Sequence, residues 1–252
     1  MAGAKVKAMK KASTLTVEQC RQALVDLGDP VKAEFLSHFF KTGKGQYGHG
    51  DKFLGVVVPA TRAVAAQCGD HTLEQIAALL DDPYHEVRLL GGLLLERIYR
   101  KHKAQRGEIV DFYLKNLPKF NNWDLVDLTC YGILGDWMLT HDREVLYELA
   151  SSANLWERRA SIVSTMALIR NGELNDTFAL AEKLLGCPED LMHKAVGWLL
   201  REAGKRDRLW LDAFLGKHYP RIPRTALRYA IEKHPEPERK AWLRGEKLEI
   251  RS

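Results

Sequence analysis

The starts of the longer helical segments recur along this chain. Stretches with helical periodicity open near Pro83, Asn122, Asn154, Glu189 and Pro223, a repeat of roughly 33 to 40 residues. Within each unit a short helix precedes a longer one, and Pro, Asp or Asn marks the break between them. A single helix pair of this kind cannot bury its own apolar face. The units must therefore stack, each covering the next, with one helix of every pair lining a common face.

No TPR or ankyrin consensus is visible, and HEAT-like pairs fit the period best. The expected fold is an all-α, right-handed superhelical solenoid of HEAT-like antiparallel helix pairs. Residues 1–13 are small and basic and are expected to be unstructured, residues 14–236 to form a single repeat domain, and residues 237–252 a charged tail. Thr16 with Gln19, and Thr72 with Gln75, read as capping boxes that open helices. A helix from Val31 to Lys41 places Phe35, Leu36, Phe39 and Phe40 on its apolar side. Phe53 to Val58, ended by Pro59 in the first turn of a helix, is the one strand candidate. Pro235-Glu236-Pro237 is expected to end the folded run.

Bulk properties narrow the function classes. The chain has 38 basic and 33 acidic residues in 252, a net charge of +5, which suits nucleic acid or a phosphorylated partner without demanding either. The longest apolar run, Val87 to Leu95, is broken by Arg88, Gly91 and Gly92 and is too short to span a bilayer. The lysines near the N-terminus precede no apolar run of signal-peptide length, so a soluble, cytoplasmic protein is expected. Cys20, Cys68, Cys130 and Cys187 are scattered, with no CxxC pair and no histidine at a zinc-like spacing. They read as reduced, mostly buried thiols. Gly43 to Gly50 formally contains GxGxxG, but a helix precedes it instead of a buried strand, so it reads as a flexible connection. No metal or nucleotide cofactor is expected.

One stretch carries chemistry. Asn121-Asn122-Trp123-Asp124-Leu125-Val126-Asp127 opens a helix with Asn at its cap, which puts Trp123 and Asp127 one turn apart on one face. Trp156 is followed by Arg158 and Arg159, and Trp198 lies one turn after Lys194. Helical geometry denies Arg158 and Arg159 a shared face, so one of them belongs to solvent or a structural ion pair. Each tryptophan alone reads more simply as core, and Asp127 alone as half of an ordinary ion pair. The matching places of these residues in successive units favour a site.

The segments Trp123 to Asp127, Leu134-Gly135-Asp136, Trp156 to Ala160 and Lys194 to Glu202, in that order, resemble the AlkD-type alkylpurine DNA glycosylases, as does Phe53-Leu54-Gly55-Val56 to Pro59. The similarity runs from about Val31 to His234 and is most specific between Trp123 and Glu202. By this resemblance, the protein is a monofunctional DNA glycosylase of base excision repair that removes cationic N3- or N7-alkylated purines from duplex DNA. Asp127 is then the catalytic aspartate, and Trp123 and Trp198 the tryptophans against the lesion's deoxyribose. Arg159 holds the backbone beside the lesion, and Phe39 stands where the family has a tyrosine, with no hydroxyl. Lys194, Arg201 and Arg224 would continue a basic track along the DNA. The partner is double-stranded DNA containing alkylated purines, with no membrane, no obligate protein partner and a monomeric state expected.

The chemistry suits the residues. An N7- or N3-alkylated purine is already cationic and leaves without a general acid. What needs help is a sugar acquiring oxocarbenium character, which indole faces favour and a fixed carboxylate stabilises directly. The same carboxylate can orient the attacking water. Two rivals remain: a non-catalytic HEAT-like DNA-binding protein, which would keep Arg159 and the basic track, and a HEAT-type protein-interaction scaffold.

Overall fold

A computed structural model describes residues 15–246. The basic segment at residues 1–13 and the last residues of the chain lie outside the described residues. Within them are fourteen α-helices and no strand, so the fold is all-α. The helices are α1 (Val17–Asp26), α2 (Pro30–Phe39), α3 (Val58–Gln67), α4 (Leu73–Leu80), α5 (His85–Lys101), α6 (Arg106–Asn116) and α7 (Trp123–Cys130). They continue as α8 (Glu144–Leu149), α9 (Leu155–Arg170), α10 (Asn175–Leu184), α11 (Asp190–Gly204), α12 (Arg208–His218), α13 (Arg224–Ala230) and α14 (Glu236–Arg244).

The repeat in helix starts is real at the level of caps. Tyr84, Asn122, Asn154, Glu189 and Pro223 are the N-caps of α5, α7, α9, α11 and α13. These five helices form one row, each packed on the next, and the shorter helices α4, α6, α8, α10 and α12 cover its other side. One apolar core runs through the whole series, from Cys20 and Leu24 on α1 to Trp242 on α14. Close approach within the row needs small residues. A Cβ on Gly197 of α11 would lie 2.5 Å from the Ala226 carbonyl oxygen of α13, which backbone cannot yield.

Both capping boxes form, Thr16 with Gln19 and Thr72 with Gln75. Three expectations need correction. The Phe53–Val58 run forms no strand: Gly55 takes φ 86°, and Val58 already opens α3. The Glu86 carboxylate instead accepts hydrogen bonds from the Leu54, Gly55 and Val56 N–H groups at 2.9, 2.9 and 3.1 Å, replacing a ladder partner with one side chain. The chain does not stop at Pro235. Pro237 sits in the first turn of α14, where a missing N–H costs nothing, and Trp242 is buried with its carbonyl accepting from the Tyr219 hydroxyl at 2.9 Å. Helix α2 has no buried residue at all, and Phe35 and Phe39 are 67% and 53% exposed.

Cys20 and Cys68 are joined in a disulfide rather than held as separate thiols, and Cys130 and Cys187 are free. Among the described residues no helix is long and apolar enough to cross a membrane.

Candidate active site

Helix α7 opens with Trp123, whose N–H donates to the side-chain oxygen of the cap residue Asn122 at 2.9 Å. This cap fixes where the indole leaves the helix. Its ring stacks on Phe40, centroids 5.4 Å apart, and meets Phe39 edge-on at 6.2 Å. Asp127, one turn on, faces α9. There the Arg159 guanidinium donates from Nε to Oδ1 and from a terminal nitrogen to Oδ2, both at 2.8 Å, while its other terminal nitrogen donates to the Leu191 carbonyl at 2.6 Å.

This bidentate pair is nearly out of solvent, with side chains 6% exposed for Arg159 and 15% for Asp127. Burial is the stronger influence on Asp127 and raises its pKa above the ordinary carboxylate value, with Arg159 pulling the other way. A carboxylate offers about four acceptor positions, and Arg159 occupies two. The remaining ones lie on the exposed side of Asp127, in a cleft of about 750 Å³.

That cleft gathers most of the residues singled out in the sequence. Trp123, Asp127, Arg159, Lys194, Trp198, Arg201 and Phe39 all line it. Arg224 does not; it is exposed at the start of α13. Lys194 pairs with Asp190 one turn earlier at 2.8 Å, and this partner raises its pKa. Arg201 is engaged by Glu232 and Glu202. The expected phosphate grip of Arg159 is, in this structure, a grip on Asp127. Trp156, grouped with the site by its motif, is buried in the core.

Sequence reasoning missed one wall. The connection from Lys41 to Asp51 is not loose. Lys41 turns the chain out of α2 at φ 53°, the left-handed region that costs a lysine on the order of 1 kcal/mol. Its carbonyl accepts from the Gly48 N–H at 3.1 Å. Tyr47, at the centre of the loop, packs edge-on against Trp156 at 6.1 Å and lines the cleft together with Lys41. Burial raises the Tyr47 pKa, against the influence of Trp123 and Lys194.

The far end of the loop is anchored by Asp51, which accepts from Arg88 at 2.6 Å, Asn121 at 2.9 Å and His85 Nδ1 at 3.3 Å. His85 Nε2 donates to Asp124 on α7 at 2.9 Å. Burial alone would lower the His85 pKa, but the Asp124 and Asp51 carboxylates outweigh it and push it up to about 9. The imidazolium therefore ties the loop, α5 and α7 together behind Trp123. The signal for this wall was an aromatic between glycines followed by an acid, which the formal GxGxxG match obscured.

A family model described as DNA alkylation repair enzyme matches residues 20–234 of the chain. Among solved structures, one described as a predicted DNA alkylation repair enzyme from Enterococcus faecalis superposes with a TM-score of 0.65. It is 18% identical in sequence, and the match covers 83% of this chain and 97% of that one. Identity this low speaks for a shared fold. No curated protein matches the chain.

Proposed function

The chain belongs to the DNA alkylation repair enzyme family, and from that premise we propose that it is a DNA glycosylase for cationic N3- and N7-alkylated purines in duplex DNA. One observation carries the reading: a largely buried carboxylate, Asp127, held in register by a bidentate arginine, opens into a cleft walled by Trp123 and Trp198.

As the glycosidic bond breaks, the base departs neutral and positive charge develops on the deoxyribose. The indole faces favour that charge by on the order of 1 to 2 kcal/mol when desolvated. Asp127 stabilises it directly by its negative charge and orients the water that attacks the anomeric carbon. Arg159 keeps the carboxylate from rotating away, and two of its five N–H groups are left over from the Asp127 and Leu191 bonds for a backbone phosphate. Lys41 adds positive charge along the same cleft, where a strand would run, and Lys194 and Arg201 would have to exchange their acidic partners for phosphates. Phe39 supplies a stacking surface without a hydroxyl. The reaction requires no metal or nucleotide at the carboxylate.

The test is base release from duplex DNA carrying one N7-methylguanine, with wild type compared against Asp127→Asn. Release by wild type and its loss in the variant support the proposal. Salt-sensitive duplex binding without release would favour a non-catalytic DNA-binding protein, and neither release nor binding would leave a protein-interaction scaffold.

A further inference from the structure

A second cluster of reactive side chains lies on α1 and α3, and none of its members lines the cleft. Cys20 is within α1, and Cys68 is the C-cap of α3. They are 48 residues apart in sequence, with Cα atoms 6.1 Å apart. His71 follows Cys68 in a Cys-x-x-His spacing. One ring nitrogen and the two sulfurs all lie within 4.8 Å of one another. The expectation of no histidine at a zinc-like spacing is corrected here: Cys68 and His71 have that spacing, and the third member, Cys20, comes from 48 residues earlier in the chain.

His71 Nε2 is buried and has no hydrogen-bond partner. An unsatisfied buried polar atom costs about 1 to 3 kcal/mol, so this nitrogen calls for a ligand. The backbone around the cluster is held firmly. Leu15 N–H donates to the Gln67 carbonyl at 3.2 Å and Gly69 N–H to the Leu15 carbonyl at 3.3 Å. Arg97 donates to the Ala65 carbonyl at 2.6 Å and also to that of Gly69. His71 also lines an open depression of about 410 Å³, whereas the two cysteines are buried behind it.

We infer that Cys20, Cys68 and His71, with the two sulfurs reduced, form a binding site for one borderline-soft cation, Zn²⁺ fitting best. Two thiolates and an imidazole are the donors that such a cation selects, and the absence of a carboxylate from the trio disfavours Mg²⁺ or Ca²⁺. Two thiolates balance the charge of Zn²⁺, and water completes a tetrahedron. The disulfide and the metal exclude each other. A dithiol reductant supplies two electrons and two protons to the S–S bond and leaves as its own disulfide. Zn²⁺ then displaces the two thiol protons. The site thus holds α1 to α3 in either redox state, by a covalent bond or through a metal.

The experiment uses the full chain, reduced anaerobically, freed of reductant and titrated with Zn²⁺ against a chromophoric chelator, then with Co²⁺. Expected are one Zn²⁺ per reduced chain, a sulfur-to-cobalt charge-transfer band in the near ultraviolet, and no binding by the oxidised chain. His71→Ala weakens binding at least about a hundredfold. Cys20→Ala with Cys68→Ala abolishes it while circular dichroism and duplex binding are retained. The inference is overturned if the reduced wild type binds no Zn²⁺, or if affinity is unchanged in His71→Ala or in the double variant. His71→Ala decides the matter alone if the double variant does not fold.

Discussion

Two buried charge clusters meet helix α7 within one turn of each other, built from similar parts and left in different states. Asp124 joins Asp51, His85 and Arg88, whose charges are spent on one another and on Asn121. Asp127 has one arginine, and its carboxylate keeps an open side in the cleft. The first arrangement is what a fold needs, because a buried charge is tolerated when an opposite charge answers it. The second leaves a charge partly unanswered beside two indoles, as a site requires. Burial and a charge partner alone would not distinguish them; the open acceptor positions do.

The largest effect expected from breaking the contrast is at Asp127. Asp127→Asn keeps the shape and one acceptor for Arg159 but removes the charge, and should slow single-turnover base release about 10³-fold, or ~4 kcal/mol of barrier. Because burial raises the Asp127 pKa, wild-type release should also fall on the acid side above the ordinary carboxylate range. A variant that releases base at the wild-type rate would place Asp127 with the structural cluster.

Arg88→Met should act in the opposite way. It strips Asp51 of its closest charged partner in a site where both side chains are under a tenth exposed. Breaking such a pair costs about 3 to 4 kcal/mol, an expected drop in melting temperature on the order of 10 °C. Below that temperature, release by the folded protein should stay near wild type. A loss of release without a loss of stability would mean that this cluster also belongs to the chemistry.

The two clusters also differ in how far they could be read from the sequence. Asp127 and Arg159 sit at matching places in successive units, and the caps that aim them, Asn122 and Asn154, are local signals. Asp51 finds its partners 34 to 71 residues away. Nothing in the Gly43–Gly50 run announces those partners, so an anchored loop was mistaken for a loose one. The same limit explains Cys20 with Cys68, and Glu86 standing in for a strand. Exposure of the α2 aromatics was missed for the converse reason: periodicity marks an apolar face but cannot say whether another element covers it.

The structural cluster also has a pH signature. Folded, His85 stays charged up to about pH 9, whereas an unfolded histidine loses its proton near 6.5. Its contribution is complete below pH 6.5 and fades as the pH rises toward 9, a loss on the order of 3 kcal/mol. Urea midpoints at pH 6 and pH 9.5 would show it, and His85→Gln should flatten the difference. A wild-type midpoint that does not move would mean that His85 is neutral in the fold.

Tyr47 joins the two clusters and tests the contrast most finely. Its loop is pinned by Asp51, yet its ring lines the cleft of Asp127. The hydroxyl reaches the Phe39 carbonyl only at 3.5 Å, a long contact that holds little of the fold together. Tyr47→Phe should therefore leave the melting temperature unchanged. If the hydroxyl faces substrate or its water, the variant should lose about 1 kcal/mol in kcat/KM, several-fold in rate. Tyr47→Ala should cost more, because it opens the wall against Trp156. A Tyr47→Phe variant equal to wild type, beside an impaired Tyr47→Ala, would make the ring a wall alone. Tyr229 would then be the remaining phenol in the cleft lining that could stand in for the hydroxyl missing at Phe39.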